Sequence, residues 1–420
     1  MESKLWTKDY TLLTVTTILS AIGGEAITFP LSLLVFDETG SPFLSAIIFV
    51  ASFAPDIILA VLIAPLVEKW NKKKLIIVLD TLLLVLYLFL AVYMYFLSFN
   101  YMIMLLFTLI TSTISIIYSL AYQAWLPDII PVGFEQKGNA VGSTIYPFIT
   151  MAMAPLSAWA YKNLGIANIF FFVAGLLAIS IVLEAQIKCH KAKTEDEQVP
   201  SWRSAFSAYK NDLVEGVHYF RSIKGLRNIG VYMGVTNGCS AGITQMTQYY
   251  FQTHPVLNVI MLGTLKTAQM LGRVIGGVLQ YRFEIPPQKR FAFTKLVYLL
   301  YDSIDTILLF LPFPAMLGLK FTTGGLGTSS AIIRSTAYQN FLPRNMRARV
   351  ASINSLLFSV GMATFYLLSG LLAEYLSYRT VAVGFGVFQL IAMYLLIIRP
   401  GKDNRVIYEA DRTLAADACE

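Results

Sequence analysis

The sequence is poor in charge, cysteine and histidine, and each shortage argues against a class of protein. Charged side chains make up only 14% of its 420 residues, against 56% apolar. A soluble domain needs a polar surface that this composition does not supply. The three cysteines, Cys189, Cys239 and Cys419, are odd in number and scattered, so no disulfide framework is expected. The three histidines, His190, His218 and His254, lie far apart, without an HExxH or a Cys/His pattern. That argues against a metal enzyme. There is no GxxxxGKS/T phosphate loop to power the chain with ATP, and no GxSxG turn to present a nucleophile. The expectation is a protein that is not an enzyme and uses no metal and no cofactor.

What the chain has in excess is apolar length. Stretches of about 20 apolar residues recur along it, each able to cross a hydrocarbon core of about 30 Å as a helix. Twelve such spans are read near 11–35, 43–67, 75–97, 101–124, 140–161, 164–187, 226–252, 257–280, 291–311, 314–338, 350–373 and 379–398. The first ten residues are polar and no small-residue cleavage site follows the first span, so no signal peptide is expected to be removed. Of the 32 basic residues, 25 fall in the segments on one side of these spans, counting Arg227 at the very start of span 7, and two, Lys162 and Arg379, on the other. The remaining five, Lys266, Arg273, Lys295, Lys320 and Arg334, lie inside spans. Basic loops favour the cytoplasmic face, so the asymmetry predicts an even span count with both termini in the cytoplasm. The net charge of +7 then reads as topology and attraction to anionic lipid headgroups, with no nucleic-acid partner.

A polar stretch over 188–225 divides the spans six and six. The expected organisation is an N-terminal six-helix bundle (1–187), a cytoplasmic linker (188–225), a C-terminal six-helix bundle (226–398) and a cytoplasmic tail (399–420). Within the linker, Trp202, Phe206, Tyr209, Leu213, Val217 and Phe220 step by three or four residues. This predicts an amphipathic helix lying in the cytoplasmic interface or tying the two halves together. The halves also echo each other. Leu126-Pro127-Asp128 after span 4 corresponds to Leu342-Pro343-Arg344 after span 10, and Ala64 to Lys69 corresponds to Gly277 to Arg282 at nearly the same offset. The echoes predict a parallel duplication. The fold class is therefore all-α: twelve transmembrane helices in two pseudo-symmetric six-helix bundles.

Ionisable groups near mid-bilayer cost about 2.5–3.5 kcal/mol each on insertion scales, so each should face a cavity or a partner. In the first half these are Glu25, after Gly23-Gly24 in span 1, and Asp56, after Pro55 in span 2. No basic residue lies at similar depth there. Desolvation disfavours the charged form of such a carboxyl, so Glu25 and Asp56 are candidates to take up and release a proton. The alternatives are a neutral, hydrogen-bonded carboxyl or pairing with a base of the other half. In the second half, Lys266 and Arg273 share roughly one face of span 8, and Asp302 and Asp305 share a face of span 9. Depth matches Lys266 to Asp302 and Lys320 to Asp305, which predicts two buried charge pairs and leaves Arg273 for a cavity. Arg334 and Lys295 are expected to snorkel to the cytoplasmic surface, with Asp80 and Glu184 also near it. Asn237, Thr244 and Gln248 recur at helical spacing on span 7, and Tyr118 and Tyr122 on span 4; these five are the remaining cavity candidates.

Several motifs resemble one family. Thr39-Gly40-Ser41, Pro55-Asp56, Glu68-Lys69-Trp70-Asn71-Lys72-Lys73-Lys74 and Leu126-Pro127 with Asn139-Ala140 are similar to the first half of major facilitator exporters of the macrolide-efflux and enterobactin-exporter type. Arg349-Val350-Ala351-Ser352, Gly361 and Ser369-Gly370-Leu371-Leu372-Ala373-Glu374 resemble their span 11. The resemblance runs from about Leu12 to Ile398. It implies a secondary active transporter of the cell (inner) membrane, monomeric, exporting an amphipathic or anionic small molecule in exchange for protons by alternating access. Import of a nutrient or metal chelate is the alternative within transport; a transport-inactive receptor or scaffold is the alternative outside it. The resemblance also implies a cytoplasmic gate built from Glu68, Lys69, Lys72 and Lys73 against the start of span 11, with Arg349. The chain departs from the family pattern in this loop, where Glu68 stands for Asp and Asn71 for Gly. It departs again in span 5, where Ala154-Pro155 stands for Gly-Pro.

Overall fold

The computed structural model describes residues 5–410, apart from 56–58, 60–62, 64–66, 68–69, 132 and 189–201. Asp56, Glu68 and Lys69 lie outside the described residues. Regular structure among the rest is helical throughout. The helices α1 (Lys8–Thr39), α2 (Pro42–Ala51), α3 (Lys72–Phe96), α4 (Tyr101–Ile129), α5 (Glu135–Leu164) and α6 (Ile166–Gln186) precede α7 (Trp202–Ser222). Then come α8 (Lys224–Thr253), α9 (Val259–Arg282), α10 (Pro287–Ile307), α11 (Phe313–Phe341) and α12 (Arg344–Ala373). The last are α13 (Tyr378–Met393), continued by a π-helical turn over Tyr394–Ile398, and α14 (Gly401–Tyr408).

Local sequence sets several of these ends. Thr7, Asn71, Asn100 and Ser377 each accept a hydrogen bond from the backbone N–H three residues on, at 3.1–3.2 Å. Each such cap satisfies a donor that a helix N-terminus otherwise leaves open. At the other end of α1, Gly40 adopts a left-handed φ of 65° and its N–H returns to the Phe36 carbonyl, as a glycine C-cap requires.

Among the described residues, six helices are long and apolar enough to cross a membrane: α1, α3, α4, α6, α12 and α13 with its π-helical turn. The twelve spans read from the sequence are therefore not equivalent. Helices α5 and α8 to α11 are of comparable length, but polar and charged residues dilute their composition. In α8, α10 and α11 part of that polarity is turned inward, where Thr236, Asp302, Asp305 and Lys320 are buried. Lipid-facing character is plainest on α3. Val78, Leu82, Val85, Phe89, Val92 and Phe96 are all exposed and step by three or four residues, making one apolar stripe. A stripe of that size is a liability in water and is what a bilayer covers.

The chain divides into two compact units. Unit 1 comprises Met1–Gly40, Ile47–Ala208 and Val259–Gly263; unit 2 comprises Ser41–Ala46, Tyr209–Asn258 and Thr264–Glu420. In unit 1, α1 packs on α5 and α6, and α3 packs on α4 and α6. In unit 2, α8 packs on α12 and α13, and α10 packs on α11 and α13. The pairings of spans 1 and 3 thus recur as the pairings of spans 7 and 9, the internal pattern that a duplicated chain produces.

Glycine permits the closest of these packings. Along the α8–α12 crossing, a Cβ added at Gly238 would lie 2.6 Å from the Gly361 carbonyl oxygen, and one added at Gly361 would overlap the Gly234 carbonyl. Small residues let membrane helices approach backbone to backbone. Gly361→Val is therefore expected to lower the thermal unfolding midpoint of purified protein, at a cost of about 1–3 kcal/mol or more for overpacking. Gly384→Ala is the control, because a Cβ there meets nothing within 4 Å. Equal midpoints for the two variants would show that the crossing is not glycine-dependent.

The linker and the tail both contribute to unit 2. The described part of the α7 stripe packs against protein. Phe220 is buried in the unit 2 core with Leu226 and Ile229, and Leu213 and Val217 pack beside it. The residues expected as a tail include α14, which docks against α8 and α11. Its Tyr408 is fully buried and its hydroxyl lies 2.8 Å from that of Tyr298. Both segments carry apolar stripes, and unit 2 offers them an apolar face to bury against.

Candidate functional site

Each unit encloses a cavity, and the two differ in charge. The unit 1 cavity, of about 430 Å³, is walled by Tyr87 of α3, Tyr118 and Tyr122 of α4, and Tyr146 of α5. The Tyr118 and Tyr122 rings, one helical turn apart, stack at 6.3 Å with an interplanar angle of 11°. The Tyr122 hydroxyl lies 2.9 Å from that of Thr17 on α1, which fixes the ring. Gly23 and Gly24 leave space on the α1 side of the wall. The next residue, Glu25, is half-buried and accepts a 2.8 Å hydrogen bond from the Thr150 hydroxyl of α5.

Asp80 and Glu184 were expected near the cytoplasmic ends of their spans, with no partner assigned. The structure buries them at 2% and 0% exposure, on α3 and α6, close enough for their carboxyl groups to interact. Asp80 and Ser180 line the unit 1 cavity, and Glu184 follows Ser180 by one turn. Glu184 Oε1 and Oε2, Asp80 Oδ2 and Ser180 Oγ find no hydrogen-bond partner among the described residues. Lys73, at the head of α3, donates instead to the Ala185 and Ile187 carbonyls at 2.8 and 2.6 Å. A cation there neutralises the negative end of the α6 dipole. One signal was available in the sequence: two acids in apolar spans with no base at their depth.

The unit 2 cavity, of about 250 Å³, is lined by Arg273, Asn237, Tyr301, Asp302 and Arg334 among others. Beside it, Tyr232, Thr236 and Ser240 form a stripe at four-residue spacing on α8 that meets the two acids of α10. Tyr232 and Thr236 donate to Asp302 at 2.9 and 3.0 Å, and Ser240 donates to Asp305 at 2.8 Å. Lys320 Nζ completes this row 3.2 Å from Asp305 Oδ1. The expected match of Asp302 with Lys266 is thus replaced by two hydroxyl donors on α8, whose spacing could have been read as their signature. Arg334 does not snorkel; it lines the cavity and donates to the Ser330 hydroxyl at 3.4 Å. Lys295 sits over the Phe291 ring at 5.0 Å. Of the three span 7 candidates only Asn237 lines this cavity. Thr244 returns its hydroxyl to the Ser240 carbonyl, and Gln248 lies two turns beyond Ser240.

Residues 13–302 match the sequence model of the Major Facilitator Superfamily. The chain belongs to that superfamily. Solved structures of similar fold include a mutant of the nucleoside transporter NupG, at 14% identity and a TM-score of 0.64, covering 93% of this chain and 99% of that one. A bacterial homologue of the human lysosomal transporter Spinster gives 11% identity and a TM-score of 0.65, covering 97% of this chain and 98% of that one. A mutant of the peptide transporter POT gives 11% identity and 0.66, covering 94% and 95%. At these identities the likeness carries the fold and no substrate. No curated protein matches the chain in sequence. This facilitator is an integral, multi-pass membrane transport protein.

The cytoplasmic gate was expected to set Glu68, Lys69, Lys72 and Lys73 against the start of span 11 with Arg349; Glu68 and Lys69 lie outside the described residues. Of the others, Lys73 donates to the carbonyls at the end of α6, and Arg349 forms a 2.7 Å ion pair with Glu215 of α7.

Proposed function

We propose that the protein is a proton-coupled exporter of an amphipathic small molecule, working by alternating access between two bundles of six spans with both termini in the cytoplasm. One observation carries the coupling. Glu25 holds a carboxyl within α1, with the Thr150 hydroxyl as its hydrogen-bond donor, in a unit whose described lysines lie at helix ends or loops. An ionisable group within a span is the kind of residue that proton relays use. The tyrosine-walled cavity beside it has the size and the mixed apolar and hydroxyl lining of a small-molecule site. Export rather than import rests on the exporter-type motifs of spans 2, 4 and 11, and the anionic class rests on Arg273 alone.

The test is transport by the reconstituted protein. Proteoliposomes carrying an interior pH dye are exposed to a panel of amphipathic amines, acids and neutral compounds. Substrate-driven proton movement in at least one case is the expected result. No flux with any compound, in vesicles shown to contain folded protein, overturns the reading in favour of a receptor or scaffold.

A further inference from the structure

We propose that the unit 1 cavity is a site for a lipophilic organic cation, with Asp80 and Glu184 as its counter-ion and the four tyrosine rings as its walls. The proposal rests on the transport reading above and names its substrate class. Three observations converge on it. First, no base among the described residues bonds the buried acid pair: Lys73 is committed to the α6 carbonyls, and the cavity wall contains no Lys or Arg. Two carboxylates in that setting cannot both be ionised unless a cation joins them. Second, Ser180, only 1% exposed, presents an unpartnered hydroxyl oxygen in the same wall. Oxygens accept from an ammonium or attract an onium charge, and neither acid meets an N–H donor. Third, Tyr87, Tyr118, Tyr122 and Tyr146 surround the space, and aromatic faces attract cations, most strongly where water is excluded. The unit 2 cavity is the counter-example within the same chain, since two arginines line it.

The charge balance gives the site a mechanism. With both carboxyls protonated the empty pair is neutral; a monovalent cation that replaces one of those protons leaves it neutral, so binding exchanges one cation for one proton. The same carboxyls thereby exclude simultaneous occupancy by the cation and the second proton. The Tyr118 hydroxyl of α4 faces both acids; Lys73 Nζ is bonded to the Ala185 and Ile187 carbonyls, and Glu25 lies further along the cavity beside Tyr146.

Tetraphenylphosphonium, radiolabelled, is the probe, bound at equilibrium to the purified full chain. The expected result is one saturable site per chain, about one proton released per phosphonium in weak buffer, and tighter binding as pH rises. Asp80→Asn and Glu184→Gln should each weaken binding at least about tenfold. Variants count only if their elution profile and unfolding midpoint match the parent; the proton release of the unmodified protein tests the idea without them. Saturable binding of tetraphenylborate, the same shape with opposite charge, would overturn the proposal. So would phosphonium binding that releases no proton or survives both substitutions. Substrate-driven proton flux without phosphonium binding removes this site and leaves the transport reading standing; phosphonium binding without flux does the reverse.

Discussion

Replacing Glu25 by glutamine is expected to uncouple transport from protons. With a non-cationic substrate, which cannot draw a proton from the Asp80–Glu184 pair, substrate-driven proton movement should fall by about 10–100-fold, the range spanned by a coupling free energy of about 1–3 kcal/mol between two sites. Energetically downhill exchange of substrate should continue. The asymmetry follows from the position of the residue. Glu25 sits in α1 next to the cavity wall, where the Thr150 hydroxyl can donate equally well to a glutamine carbonyl. The substitution preserves shape and hydrogen bonding and removes only the exchangeable proton. The measurement is a pair of assays on the same vesicles, one reading interior pH and one reading counterflow of labelled substrate. If the Glu25→Gln protein moves protons with substrate as the parent does, the coupling group lies elsewhere, with the Asp80–Glu184 pair next in line.

The Lys320–Asp305 contact carries the second large effect, on stability. Both side chains are nearly inaccessible, at 7% and 0%, and the ammonium lies 3.2 Å from the carboxylate. Lys320→Met would leave Asp305 with the Ser240 hydroxyl and an uncompensated charge. Breaking a buried pair from one side costs about 3–5 kcal/mol. The double variant Lys320→Met with Asp305→Leu removes both charges and should recover most of that loss, because an apolar pair of similar volume carries no desolvation penalty. Unfolding midpoints of the parent, both single variants and the double variant settle the matter. A Lys320→Met midpoint equal to that of the parent would mean that the pair contributes nothing.

Legibility varied with the kind of question. The helix positions were readable because apolar runs of span length recur, and because Thr7, Asn71, Asn100 and Ser377 mark helix starts with their own side chains. The approach of Lys320 to Asp305 was readable from depth, since both distances run from one membrane face. Asp302 was misread for the same reason. Depth placed Lys266 level with it, but the face of α10 that carries Asp302 turns toward α8, where Tyr232 and Thr236 stand. Asp80 and Glu184 were placed near span ends, with no partner assigned. Packing of α3 against α6 closes water off from that level.

From its order of residues alone this chain determined that it lives in a bilayer, where its helices fall and which family pattern it carries. These are properties of composition and period, and they need no partner. The tertiary structure alone decided which charges meet. A helix turns about 100° per residue, so the side chain that faces a cavity is set by the rotation of each helix about its own axis. That rotation depends on contacts such as the Gly238–Gly361 crossing. It placed Tyr118, Tyr122 and Asp80 around one space, and aligned three hydroxyls of α8 with two acids of α10.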